Sequence, residues 1–222
     1  MKLVIAGDSA IAEVAYEYFT VDSPYEVVAF AVERAYLTRD RLFDLPVVAF
    51  EDVESLYPPE SHHAFVAVGF AQMNRLRARL YHAAKAKGYA LASYVSSRAF
   101  VWRNVRMGDN CFILENNVIQ PFVTIGNDVT LWSGNHIGHH VTIADHVFFS
   151  SHVVLSGFVD VGAHTFFGVN ASVAHEVKVG EDVLVGAGAT ILRNTEPRKF
   201  YAVEGTKPRG DTLSFFGIEE NE

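Results

Sequence analysis

The chain is poor in several things, and each shortage excludes something. Cys111 is the only cysteine among 222 residues, so no intrachain disulfide can form. No apolar run approaches the roughly 20 residues of a membrane-spanning helix. Met1 to Gly7 shows neither the apolar core nor the cleavage site of a secretory signal. A cytoplasmic protein without membrane insertion is the expectation. Positive charge is also scarce, with 18 Lys and Arg against 26 Asp and Glu and a net charge of −8. Nucleic-acid binding needs clustered positive charge, so no nucleic-acid partner is expected.

What the chain does have is a period. Every sixth residue from Val101 to Ile191 is apolar, through Ile113, Ile119, Ile125, Leu131, Ile137, Ile143, Phe149 and Leu155. A six-residue repeat of this kind marks a β-helix. A glycine follows the apolar position at Gly108, Gly126, Gly138, Gly162, Gly168, Gly180 and Gly186. Two residues before it stands a small or β-branched residue in most repeats, with Asn117 and Asn135 departing. Two inward residues per six build one flat face of a triangular prism, and three faces complete a coil of 18. On this reading glycine supplies the backbone freedom that the corners require. Stacked coils lie roughly 4.8 Å apart. Cys111 falls on an inward position, where it acts as a small hydrophobe.

Residues 1 to about 95 have a different grammar. Short apolar strands at Leu3–Ala6, Val27–Val32, Val47–Phe50 and Ala64–Val68 alternate with helical stretches at Ala10–Phe19 and Arg75–Lys87. Such alternation predicts a small Rossmann-like parallel sheet. The expected organisation is therefore 1–95 for this domain, 96–195 for the β-helix and 196–222 for a C-terminal loop and tail. Ligands of such sheets bind beyond the carboxyl ends of the strands. Those ends are Gly7-Asp8-Ser9, Glu33 and Gly69; Asn74, just before the second helix, is grouped with them as a substrate-binding candidate. A helix opening after Ser9 offers free N–H groups to a phosphate. Gly7-Asp8-Ser9-Ala10-Ile11-Ala12 lacks the further glycines of a dinucleotide fingerprint, so a mononucleotide or nucleotide-sugar site fits better, with a plain structural turn as the other reading.

Seven of the ten histidines lie between His136 and His175. His139 follows the Ile137-Gly138 pair and so belongs at an outward corner. A neutral imidazole accepts a proton near neutral pH, which suits a general base. Gly157 lies 18 residues on, one coil above, and its N–H is positioned to stabilise an oxyanion. His140, His146, His152 and His164 share another outward slot, where solvation, a subunit interface and a metal site are all open readings.

At this point the chain resembles the two-domain hexapeptide-repeat sugar acyltransferases. These include nucleotide-amino-sugar N-acetyltransferases and sialic-acid O-acetyltransferase-like proteins. The resemblance rests on Gly7-Asp8-Ser9, Val66-Ala67-Val68-Gly69, the unbroken repeats, Ile137-Gly138-His139 and Gly186-Ala187-Gly188-Ala189-Thr190. It implies a left-handed parallel β-helix after the N-terminal domain, a homotrimer, and active sites in the grooves between subunits. It further implies acetyl-CoA or another acyl-CoA as co-substrate, with no metal. His139 matches the family's catalytic histidine and Gly157 the glycine whose amide binds the thioester carbonyl. Val169 and Ala187 match the lining of the pantetheine channel; Lys207 and Arg209, in a stretch that departs from the family's closing motif, either meet the CoA phosphates by charge or stand solvated before the tail. Two departures stand out. The residue after the catalytic histidine is often acidic, and here it is His140. Where some members carry another histidine near the acyl group, nine residues on, this chain has Phe148, which would reshape the acyl pocket.

The expected activity is acyl transfer from acyl-CoA to the amine of a nucleotide-linked amino deoxysugar, in an O-antigen, capsule or glycoprotein-glycan pathway. Sugar O-acetylation of the sialic-acid type is the nearest rival. A γ-carbonic-anhydrase-like zinc enzyme and a non-catalytic scaffold are the others.

Overall fold

The computed structural model describes residues 1–218; the last four residues of the expected 196–222 tail lie outside them. The chain opens with β1 (Lys2–Ala6), α1 (Ala10–Val21), β2 (Glu26–Val32), β3 (Arg41–Leu42), β4 (Leu45–Ala49), α2 (Val53–Leu56), β5 (His62–Val66), α3 (Arg75–Ala86) and β6 (Ala90–Leu91). The strands form one sheet in the order β3-β4-β2-β1-β5-β6. Every pairing is parallel except β3 with β4. After the exposed Lys2, β1 is apolar throughout because both of its faces are covered. Leu3 and Ile5 pack with Ala12, Ala15 and Phe19 of α1. Val4 and Ala6 pack with Leu80, Tyr81 and Ala84 of α3.

From Tyr94 onward the strands are two residues long and stack every 18 residues, as the period predicts. Three parallel sheets result, the three faces of a left-handed β-helix. Face one runs from Tyr94–Val95 through Phe112–Ile113, Thr130–Leu131 and Phe148–Phe149 to Phe200–Tyr201. Face two contains Val118–Ile119, His136–Ile137 and Val154–Leu155; face three contains Arg106–Met107, Thr124–Ile125 and Thr142–Ile143. Ile119 pairs with Ile137, and Ile137 with Leu155. The inward apolar residues fill the prism, with Phe149 and Phe167 stacked 4.6 Å apart. Val101 and Met107 depart from burial because they belong to the edge strands of faces two and three. Asn117 and Asn135 are buried inside the prism as a ladder: Asn117 Oδ1 accepts from the Asn135 N–H, and Asn135 Oδ1 from the Val153 N–H.

The corners correct the reading of the glycines. The left-handed backbone sits two residues after the glycine position, at His140, His146, His152 and His164, with φ between 59° and 61°. Histidine, asparagine and aspartate tolerate that conformation better than most residues. Asn110, Asn116, Asp128, Asn170 and Asp182 occupy the same slot. The glycines have another purpose. A Cβ on Gly138 would lie 2.7 Å from the Gly157 nitrogen of the next coil, so glycine permits the coils to approach.

The N-terminal sheet packs on face one and on the vertex between faces three and one. Phe112 and Leu114 share a core cluster with Phe19 and Phe65. A buried polar knot joins the two parts. Arg77 of α3 donates to Asp128 Oδ1 (3.1 Å) and to the Asp128 carbonyl (3.0 Å). His146 Nδ1 lies 2.8 Å from Asp128 Oδ2, and Asn110 Nδ2 donates to Asp128 Oδ1 at 2.7 Å. His146 is therefore buried and paired, not solvated.

Candidate active site

His139 occupies the vertex between faces two and three. Its main chain is fixed at both ends: its N–H donates to Gln120 Oε1 (2.9 Å), and its carbonyl accepts from the Phe158 N–H (3.0 Å). The exposed ring lies over Gly157, where a Cβ would meet Cε1 at 2.7 Å and Nε2 at 2.8 Å. Only glycine leaves the ring that place. Gly157 is buried, and its N–H has no hydrogen-bond partner among the described residues. Other corners share this free N–H, among them Ser133, Ser151 and Ala163, but at Gly157 it stands beside an imidazole. A base nitrogen and a free backbone donor thus adjoin on consecutive coils.

The other ring nitrogen of His139 is engaged. Its Nδ1 lies 3.1 Å from His140 Nδ1, so one ring donates and the other accepts. His140 is clamped between two exposed aromatic rings of the same slot, Phe122 and Phe158, each stacked at 4.6 Å. His175 stands one coil beyond Gly157, with its ring 6.4 Å from that of His139 and its Nε2 3.6 Å from Glu176 Oε1. Among the described residues no group of three His, Cys, Asp or Glu side chains is disposed to hold a metal ion.

The carboxyl ends of β1 and β2 and the segment after β5 open on a cleft of about 430 Å³ lined by Gly7, Asp8, Ser9, Glu33, Gln72 and Arg79. Ser9 is the N-cap of α1 and makes no side-chain capping bond. The first-turn N–H groups of such a helix face an anion. Arg79 reaches across from α3 and grips Glu33 with two bonds of 2.7 and 2.8 Å, holding the Glu33 carboxyl below its usual range. Asp8 lies 3.5 Å from Arg39.

Two of the expected substrate residues are not brought to this cleft. Asn74 is fully buried; its amide donates to the carbonyls of His164 and Thr165, and its Oδ1 accepts from Arg77. It belongs to the polar knot. Gly69 packs beside Ile11, whose Cδ1 a Cβ would approach to 2.9 Å. Conversely, Tyr36, Gln72 and Arg79 line the cleft without having been legible. Arg79 carried the one available signal, a basic residue on the helix that follows β5.

Phe148 also departs from expectation. It is 3% exposed, stacked on Phe166 and edge-on to Phe70. It lies on face one, under the N-terminal part of its own chain, and does not shape an acyl pocket there. Val169 and Ala187 are exposed one coil apart on the vertex between faces one and two, across face two from His139. Lys207 and Arg209 are exposed in an irregular stretch after Phe200–Tyr201.

The bacterial transferase hexapeptide model (six repeats) matches residues 104–138 and 122–157. No curated protein matches the chain significantly. Among solved structures, a histidine mutant of perosamine N-acetyltransferase from Caulobacter crescentus, in complex with CoA and GDP-perosamine, is similar at 26% identity and a TM-score of 0.81, covering 90% of this chain and 92% of that one. The acetyltransferase domain of PglB from Neisseria gonorrhoeae is similar at 25% identity and a TM-score of 0.81, covering 90% and 95%. WeeI from Acinetobacter baumannii shares the fold at 16% identity and a TM-score of 0.75, covering 90% and 96%. The chain thus carries hexapeptide repeats within a two-part fold common to sugar N-acetyltransferases.

Proposed function

We propose that the protein transfers an acyl group from acyl-CoA to the amine of a nucleotide-linked amino sugar, with His139 as general base. The observation that carries this reading is the His139 ring lying over Gly157, whose N–H has no partner among the described residues. The likeness to a perosamine N-acetyltransferase bound to CoA and GDP-perosamine supports it. In the division of labour that follows, residues 1–95 hold the nucleotide, 96–195 perform acyl transfer, and Lys207 and Arg209 of the tail meet the donor's phosphates.

The chemistry balances on these groups. The amine nitrogen attacks the thioester carbon as His139 Nε2 takes the amine proton. The carbonyl oxygen becomes an oxyanion, and the Gly157 N–H donates to it. Collapse of that intermediate breaks the carbon–sulfur bond, and the leaving thiolate takes the proton from His139. For Nε2 to accept, Nδ1 must carry the hydrogen and donate to His140 Nδ1. His140 is thus the positioning residue, standing where a carboxylate would otherwise be.

On this reading the parts of the site come from different chains. His139 crowns the vertex opposite face one, while the nucleotide cleft belongs to the sheet packed on face one. Val169 and Ala187 lie on yet another vertex. A homotrimer, in which one chain's vertex faces its neighbour's cleft, brings them together. Among the described residues no helix is long and apolar enough to cross a membrane. A cytoplasmic location, where sugar nucleotides and acyl-CoA are at hand, completes the reading.

The test is CoA-thiol release from acetyl-CoA across dTDP-, UDP- and GDP-linked amino sugars and free sialic acid. Burial pushes the Cys111 thiol up to about 12, so a thiol reagent at neutral pH reads CoA alone. Release with a nucleotide amino sugar is expected; release only with sialic acid overturns N-acylation. His139→Ala should lower kcat by about 10²–10⁴-fold in an intact assembly. Gly157→Ala, which would displace the ring, should do the same. Full turnover by folded His139→Ala would remove it from the role.

A further inference from the structure

We infer that the first coil of the β-helix holds a subsite for the acceptor's diphosphate, formed by Arg103 and Arg106. The inference rests on the acyl-transfer reading above and extends it to an unassigned cleft.

The vertex that carries His139 begins at Arg103, 36 residues and hence two coils earlier. At roughly 4.8 Å per coil the separation is about 10 Å along the prism. Arg106 opens the first strand of face three. These two arginines, with Asn104, Phe122 and Thr124, line an open cleft of about 500 Å³. No carboxylate lines it. Both arginines are exposed, and neither guanidinium has an ion-pair or hydrogen-bond partner among the described residues. By contrast Arg34, Arg39, Arg75, Arg77 and Arg79 each face a carboxylate. In a chain of net charge −8, two neighbouring guanidinium groups without acidic partners mark a local positive site. Their planar donor forks suit phosphate oxygens.

The cleft connects physically to the base. The Phe122 N–H donates to Asn104 Oδ1 (3.0 Å), the Phe122 ring stacks on His140, and His140 contacts His139. Direction follows from Gly157. Its N–H lies one coil beyond His139 toward the C-terminal end, so the thioester carbonyl occupies that side. We place the attacking amine on the other side of the His139 ring, toward Phe122 and Arg103. An acceptor with its amine at His139 Nε2 lays its sugar ring along Phe122 and delivers its diphosphate to the arginines. Donor and acceptor phosphates thus lie at opposite ends of the prism, the donor's toward Lys207 and Arg209.

The experiment compares the wild type with Arg103→Gln, Arg106→Gln and the double variant, each as the intact assembly. Calorimetry with GDP, UDP and dTDP reads the subsite without turnover. We expect one of these to bind the wild type, and the double variant to bind it roughly tenfold or more weakly. KM for the nucleotide-linked acceptor should rise by a similar factor, with kcat and KM for acetyl-CoA nearly unchanged. Equal nucleotide binding by wild type and double variant overturns the inference, as does a wild type that binds none of the three. A rise in KM for acetyl-CoA alone assigns the arginines to the donor and also overturns it. A wild type that binds a diphosphate through these arginines yet transfers to no amino sugar would sink the acyl-transfer reading instead.

Discussion

The single side chain that sets this site apart is His140. A carboxylate beside a histidine base would orient the ring and also stabilise the imidazolium that forms. A neutral imidazole can only orient. Its ring is fixed between Phe122 and Phe158, and His175, itself beside Glu176, stands near the pair. His140→Ala should therefore lower kcat while leaving both KM values nearly intact, because on the proposed mechanism only the base loses its orientation. His140→Glu should restore kcat and move the acid limb of the pH–rate profile to higher pH, since a carboxylate favours the protonated ring. A merely structural histidine would give neither the rescue nor the shift. The stacking of His139 over Gly157 was legible in the sequence, because an 18-residue coil converts spacing directly into stacking. The contact between the two Nδ1 atoms was not, because it depends on a left-handed φ of 59° at His140.

Corner and helix show where reading by pattern stops. The strand period was fully legible, since each inward residue repeats a one-dimensional rule. The corner histidines left solvation, a subunit interface and a metal site open in sequence; their shared slot is a left-handed one that favours such residues. The polar knot was invisible, because Arg77 and Asp128 are 51 residues apart and sit on different kinds of element. His164 is part of the same corner, stacked on His146 at 5.0 Å, with its Nδ1 buried and lacking a partner among the described residues. Burial, then the neighbouring His146 and Arg75, lowers its pKa from 6.5. The unfolded chain therefore takes up a proton at a pH where the folded chain does not. Stability from this group is present above pH 6.5 and falls as the pH drops from there toward the folded value. Urea midpoints at pH 7.5 and pH 5 should separate for the wild type and draw together in His164→Asn, which tolerates the same backbone. Identical acid sensitivity in the two proteins would remove His164 as the cause.

At the scale of the whole molecule, the prism separates functions that a reaction must join. Face one is covered by the N-terminal sheet, through Phe112 and Leu114 with Phe19 and Phe65, and through Phe70 on Phe148 and Phe166. The vertex with His139 points the other way. On the proposed reading the two substrates meet where a second chain supplies the missing half, so that each chain would contribute its base to one site and its cleft to another. That arrangement permits complementation. One variant, His139→Ala, lacks the base; a second, Ser9→Trp, fills the mouth of the cleft from an exposed position. Each alone should be nearly inactive. Co-expressed and mixed at random in a closed cyclic trimer, about a quarter of the sites pair an intact base with an intact cleft. Activity in the mixture should therefore recover to about that fraction of the wild-type value. A site contained within one chain would recover nothing, because every chain in the mixture carries one of the two lesions.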